Sequence, residues 1–137
     1  MTPAKRVIAF GAFDPLHPGH EWFLQQAKAL GDFLMVVVAR DTSIKAQKNR
    51  DPFQGEEERL AAVAAVAAVD EAMLGNEGAN KYAILGELDF DVVAMGYDQR
   101  PSDQVVRAEL DKKGKLQVEI KRLPAYKPEL YKSSFLR

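Results

Sequence analysis

The chain has two histidines in 137 residues, and they stand together in His17-Pro18-Gly19-His20. An imidazole can donate a hydrogen bond to a phosphoryl oxygen, move a proton or ligate a metal. Two of them three residues apart, with proline and glycine between, suit a strand-to-helix junction. His17 then falls just before the helix and His20 in its first turn. A helix N-terminus offers unpaired backbone N–H groups and a partial positive charge, so it seats phosphate. Gly19 permits close backbone approach, and Pro18 stiffens the entry. The chemistry implied is hydrogen bonding from both imidazoles to the oxygens of a reacting phosphoryl group. A single histidine is more often structural than catalytic, but a pair at such a junction argues for chemistry. The competing arrangement makes both histidines and Asp14 metal ligands. No further ligand supports it, and no protein-only metal site is expected.

The flanking pattern supplies that junction. Arg6 to Phe10 reads as a buried strand ending at Gly11, and residues 19–30 place His20, Phe23, Leu24, Ala27 and Leu30 on one helical face, stopped by Gly31. Phe33 to Ala39 is a continuous apolar run, as expected of a strand covered on both faces. A polar, basic loop is expected from Arg40 to Pro52. Glu56, Glu57 and Glu58 suit a helix start, and Leu60 to Val69 forms an alanine-rich helix with Leu60, Val63 and Val66 recurring every third residue. Asp70 to Leu74 is a short strand closed by Gly75, residues 80–88 are helical, and Asp91 to Met95 is a strand before Gly96. Residues 103–113 form a charged helix and Leu116 to Ile120 an edge strand, and Ser133-Ser134 cap a short last helix. The alternation predicts one domain over 1–137. Its fold class is a doubly wound, Rossmann-like α/β arrangement, with a mainly parallel sheet of about five strands and helices on both faces. Ligands of such folds bind outside the carboxyl ends of the strands. The loops at Gly11, Arg40, Gly75 and Gly96 all lie on that edge.

Composition narrows the setting. Cysteine is absent, which excludes disulfides and thiolate metal sites and fits a cytoplasmic location. No signal peptide or membrane span can be built from the sequence. The net charge of −1 conceals a basic end, with eight Lys or Arg between 112 and 137 against Glu119 and Glu129. Such an end could meet nucleic acid or anionic lipid, or serve a phosphorylated ligand. The absence of an aromatic-interleaved basic motif argues against nucleic acid.

Gly11 to His20 resembles the GTFDxLHxGH signature of the cytidylyltransferase-like nucleotidyltransferases, and later landmarks follow in order over nearly the whole chain. The resemblance implies transfer of a nucleotidyl group from ATP or CTP to a substrate phosphate, with pyrophosphate released and Mg2+ or another divalent cation accompanying the triphosphate. It makes His17 and His20 catalytic and assigns Gly11, Ala12, Phe13, Asp14, Gly19, Gly96, Tyr97, Asp98, Gln99, Ser133 and Ser134 to the nucleotide. Lys45 and Lys48 match basic residues that approach the phosphates. Lys45 is expected to take a catalytic part, while Lys48, Arg59 and Tyr126 are expected on the acceptor side. A homodimer is also implied, with neither nucleic acid nor membrane as partner. Ala12 departs from the family's usual threonine or serine, and backbone N–H groups must serve where that hydroxyl is missing. An inactive nucleotide sensor on the same fold is the reading that this change leaves open. Ala67 replaces an arginine of the glycerol-phosphate branch. Gly96-Tyr97-Asp98-Gln99, Val37 to Asp41 and Val69 to Ala72 look more like the archaeal-type FAD synthase branch, which adenylylates FMN. Phe13, Trp22, Phe53 and Tyr126 are then candidates for the walls of an apolar flavin site.

Overall fold

Alternation along the central strands decides how the layers form. In the computed structural model, which describes residues 4–76, 82–97 and 102–124, β1 (Arg6–Gly11), β2 (Phe33–Val38) and β4 (Val92–Met95) are buried on both sides. Val7, Ala9, Leu34, Val36, Val38, Val92 and Ala94 point to one face. There they meet Leu24 and Ala27 of α1 (Pro18–Lys28) and Val63 of α3 (Glu56–Ala64). Ile8, Met35, Val37, Val93 and Met95 point to the other face. They are covered by Ile84 and Leu85 of a short 3-10 helix (Ala83–Gly86) and by Val106 and Leu110 of α4 (Asp103–Lys112). Apolar residues on both sides of each strand explain why the runs lack polar positions.

β3 (Glu71–Leu74) and β5 (Glu119–Arg122) complete a five-stranded sheet of order β3-β2-β1-β4-β5, parallel throughout. The expected fold class is therefore observed, with helices on both faces. The chain winds outward from β1 through β2 to β3, then returns to the other side of β1 for β4 and β5. The strand order reverses between β1 and β4, and a crevice opens at the carboxyl ends of strands at such a reversal. The His17-His20 segment leaves β1 there, and Gly96 leaves β4.

Several element boundaries differ from expectation. The stretch after β2 is not a loop, because Asp41–Lys48 forms a helix, α2, that ends on Asn49 in the left-handed conformation (φ 54°). Its first N–H, on Asp41, donates to the Glu56 carboxylate at 2.8 Å, and Ile44 is buried. The alanine-rich helix starts at Glu56 and ends at Ala64. Beyond it Val66 N–H bonds Val63 and Val69 N–H bonds Val66, three-residue turns that match the three-residue recurrence of valine. The last strand begins at Glu119 because residues 115–118 are occupied by a turn, leaving Leu116 exposed. Only Ala83–Gly86 of the expected 80–88 helix is seen, as a 3-10 turn, and residues 77–81 lie outside the described residues. The expected terminal helix at Ser133-Ser134 also lies outside them.

Candidate active site

At the start of α1 the two histidines cap the helix reciprocally. His17 is the N-cap, and its Nδ1 accepts the backbone N–H groups of Gly19 (3.1 Å) and His20 (3.4 Å). His20 Nδ1 accepts the backbone N–H of His17 at 3.3 Å. This is the capping-box arrangement with imidazoles in place of the usual hydroxyl and carboxamide. It has a chemical consequence. An Nδ1 that accepts a hydrogen bond carries the lone pair, so the proton of each neutral ring sits on Nε2. The rings stack with centroids 3.6 Å apart and 20° between planes. The capping that gives the backbone N–H groups their acceptors thus fixes both tautomers as Nε2–H donors. His17 is exposed, and it presents its donor at the helix N-terminus beside the β1–β4 crevice.

His20 is held from beneath by Phe13, whose ring meets it edge-on at 5.1 Å and 75°. Phe13 is buried and has φ of 52°, a left-handed conformation that costs a non-glycine residue about 1–2 kcal/mol. Gly11 makes room for it: a Cβ there would stand 2.7 Å from the tip of the Phe13 ring. Burial of the His20 ring pushes it down from the usual 6.5 to about 4, with His17 and Lys48 acting in the same sense and a hydrogen bond to the Pro15 carbonyl opposing them. His20 is therefore neutral at pH 7, with a single N–H that faces the Pro15 carbonyl in this structure and that a phosphate oxygen would have to draw away.

A pH dependence of stability follows. Between pH 4 and about 6.5 the unfolded chain binds a proton at this position that the folded chain does not. Stability then falls as pH drops through that window and levels off below it. Partial solvent access to the ring limits the effect to about 1–2 kcal/mol. Urea midpoints measured across this range should shift accordingly in the wild type, and much less in His20→Gln, which keeps an N3 acceptor for the cap. An equal shift in both would remove His20 as the cause.

The Asp14 side chain is buried and bonded within the chain. Its carboxylate accepts the backbone N–H groups of Phe53 and Gln54, each at 2.8 Å, and lies 3.6 Å from Arg50. Burial works to raise its pKa, but those two N–H donors with Arg59 and Arg50 outweigh it and hold the carboxyl below its ordinary value. Arg59 is more deeply placed, fully buried, with its guanidinium spent on four acceptors. Nε donates to Gln54 O (2.9 Å), Nη1 to Ala12 O (3.0 Å) and Ala39 O (2.6 Å), and Nη2 to the Asp41 carboxylate (2.7 Å). It ties the loop after β1, the end of β2, the start of α2 and the segment before α3 to one planar group. The acceptor-side position expected for Arg59 is thus occupied by a side chain committed internally.

Of the two lysines, Lys48 lies close enough to His20 for its charge to act on that ring, whereas Lys45 pairs loosely with Asp51 at 3.8 Å in the open. At the far side of the crevice Gly96 is held by Arg122, whose Nη1 donates to its carbonyl (2.5 Å) and whose Nη2 meets Asp103 at 2.6 Å. Tyr97 beside it is exposed. Asp98, Gln99, Tyr126, Ser133 and Ser134 lie outside the described residues. Sequence reasoning missed Glu56 and Arg122. From sequence the glutamate run reads only as a helix start, and Arg122 lies beyond the strand expected over Leu116 to Ile120. Among the described residues no three of His, Cys, Asp and Glu are grouped to hold a metal ion. None of the described helices is long and apolar enough to cross a membrane.

A reciprocal histidine cap thus opens the first helix of an all-parallel sheet. The cytidylyltransferase-like family model matches residues 8–137. The chain belongs to the cytidylyltransferase-like family. Relatives of this cytidylyltransferase-like chain include the FAD synthase of Methanosarcina mazei, 45% identical over 122 residues that span 89% of this chain and 78% of the relative. The FAD synthase of Thermococcus onnurineus is 42% identical over 130 residues, 94% of this chain and 86% of the relative. Among solved structures, a lipopolysaccharide core biosynthesis protein from Thermoplasma volcanium superposes with a TM-score of 0.80 at 38% identity, covering 90% of this chain and 99% of that one. A pantoate-beta-alanine ligase from Francisella tularensis shares the fold alone, with a TM-score of 0.58 at 13% identity over 90% of this chain and 60% of that one.

Proposed function

We propose that the protein is an FMN adenylyltransferase, converting ATP and FMN to FAD and pyrophosphate. The observation that carries the reaction class is the pair of capped imidazoles with Nε2–H donors at the N-terminus of α1. The acceptor follows from the relatives, which at 45% and 42% identity are FAD synthases.

In this reading a phosphate oxygen of FMN attacks the α-phosphorus of ATP in line. The new P–O bond forms as the bond to the β-phosphate breaks, and the electron pair leaves with pyrophosphate. No covalent enzyme intermediate is required, so the protein's task is positioning and charge stabilisation. His17 and His20 donate to the oxygens on which charge develops. The N-terminus of α1 adds its partial positive charge, and Lys48 adds a full one. Gly96 and Tyr97, with Asp98 and Gln99, take the nucleoside end, and Ser133 and Ser134 take the triphosphate. Lys45 assists at the phosphates, while Lys48 and Tyr126 serve the acceptor side. Arg59 acts through the loops it ties together. A divalent cation such as Mg2+, brought with the triphosphate, would supply charge neutralisation on its oxygens. Two nitrogen donors and a committed carboxylate suit such a hard cation poorly, so these residues would serve the phosphates and not the cation. The enzyme works in the cytoplasm as a homodimer, and its mass in solution checks the latter.

The discriminating assay supplies Mg2+ with ATP or CTP, and FMN or glycerol 3-phosphate, and follows pyrophosphate. ATP with FMN should release it in step with FAD. CTP with glycerol 3-phosphate yielding CDP-glycerol, and no FAD from the other pairing, would move the protein to the cytidylyl branch. No pyrophosphate in any pairing would make it a sensor.

A further inference from the structure

Phe53 is the most exposed of the large hydrophobic side chains described, 77% accessible. A single exposed aromatic is ordinary on a protein surface. Phe53 differs in how firmly it is held and by what. Its own N–H and that of Gln54 both bond Asp14, a residue of the signature segment, and the Gln54 carbonyl accepts from the buried Arg59. The preceding Pro52 restricts the backbone at the turn. Arg50 lies 4.5 Å from the ring centroid in a cation–π contact and is itself within ion-pair distance of Asp14. The chain thus fixes an aromatic ring on one side and leaves the rest of it open to solvent. Asp14 is three residues from His17, so the anchor lies within about 10 Å of the histidine backbone along the chain. The ring is thereby tethered to the loop that carries the histidines.

Resting on the FMN reading above, we infer that Phe53, backed by Arg50, is the stacking platform for the isoalloxazine ring of the acceptor. FMN carries a large planar ring at one end of its ribityl arm and the reacting phosphate at the other. With the phosphate at the imidazoles, the ring must lie on some surface at the margin of the crevice. Of the other aromatic candidates, Phe13 is buried beneath His20 and serves the catalytic loop. Trp22 is half-buried on α1 and Tyr126 lies outside the described residues. Planar ligands stacking on a fixed aromatic face lose little conformational freedom on binding. Removal of such a face commonly weakens binding about tenfold. Because Phe53 is far from closing any core, its substitution should leave the fold intact.

The test is steady-state kinetics with Phe53→Ala and Phe53→Trp, together with the quenching of flavin fluorescence when FMN binds. Phe53→Ala should raise the KM for FMN about tenfold, leave the KM for ATP within about twofold, and abolish most of the quenching. Phe53→Trp should restore both. An unchanged KM and unchanged quenching in Phe53→Ala, in an enzyme whose wild type makes FAD, would overturn the platform and leave the FMN reading standing. Conversion of a dimer to a monomer by Phe53→Ala, with FMN binding unaltered, would also overturn it by assigning the ring to a contact between chains. A wild type that makes no FAD would remove both readings at once.

Discussion

Replacing His17 or His20 so that the cap survives is expected to lower turnover about 100- to 1,000-fold while leaving the protein folded. His17→Asn keeps a good N-cap side chain, and His20→Gln keeps an N3 acceptor. Both replace the imidazole Nε2–H with a carboxamide N–H2, a weaker donor in a different position. The distinction matters because alanine at position 17 removes a cap as well, at a cost of about 1 kcal/mol. A loss of rate in alanine variants alone would be open to a structural reading. Loss in the asparagine and glutamine variants, with unaltered melting, assigns the rate to the imidazoles and not to the cap. A rate within a few-fold of wild type in both conservative variants would show that the reaction does not depend on the imidazoles.

The second large effect concerns Arg59. Arg59→Met should destabilise the protein by about 3–5 kcal/mol, the range for losing one partner of a buried charged network. The guanidinium has the fork geometry to serve three carbonyls and a carboxylate at once, and methionine leaves Ala12, Ala39 and Gln54 oxygens without it. A fall in Tm on the order of 10 °C is expected. Arg59→Lys keeps the charge but not the fork, and should fall between. Activity should decline with stability in both, because Ala12 belongs to the histidine loop and Asp41 starts the helix that bears Lys48. A Tm for Arg59→Met within about 2 °C of wild type would contradict the bracket.

These two cases mark what could be read from the sequence. The histidines were legible because proline and glycine between them leave few structural uses, and because a buried apolar run precedes them and an amphipathic helix follows. β1 and β2 were placed to within a residue for the same reason, since unbroken apolar runs admit no surface position. α2 was not legible because its one buried residue is Ile44. A helix with so little apolar face gives no periodic signal, and the glutamate that caps it comes from a different element. β5 was placed early because Val118 is buried in a turn that precedes the strand, and an alternating run does not reveal its own register. Arg59 was the most misleading residue. Charge in an amphipathic helix normally marks its wet face, and nothing local announces that three carbonyls and a carboxylate converge on it. Asp14 is similar: a carboxylate beside histidines suggests a ligand contact, whereas its acceptors are filled by the backbone of residues 53 and 54. The sequence showed where charge and imidazole gather, and folding determined which of them remain open to a substrate.

Nucleotidyl transfer from ATP to FMN at the histidine pair can be followed directly with a label. ATP labelled at its α-phosphate is mixed with FMN, Mg2+ and the wild-type protein, and the products are separated. The label should appear in FAD, in step with unlabelled pyrophosphate, and His17→Asn and His20→Gln should suppress its appearance. Label that stays in ATP, or that leaves only as free AMP while FMN is unconsumed, would contradict it.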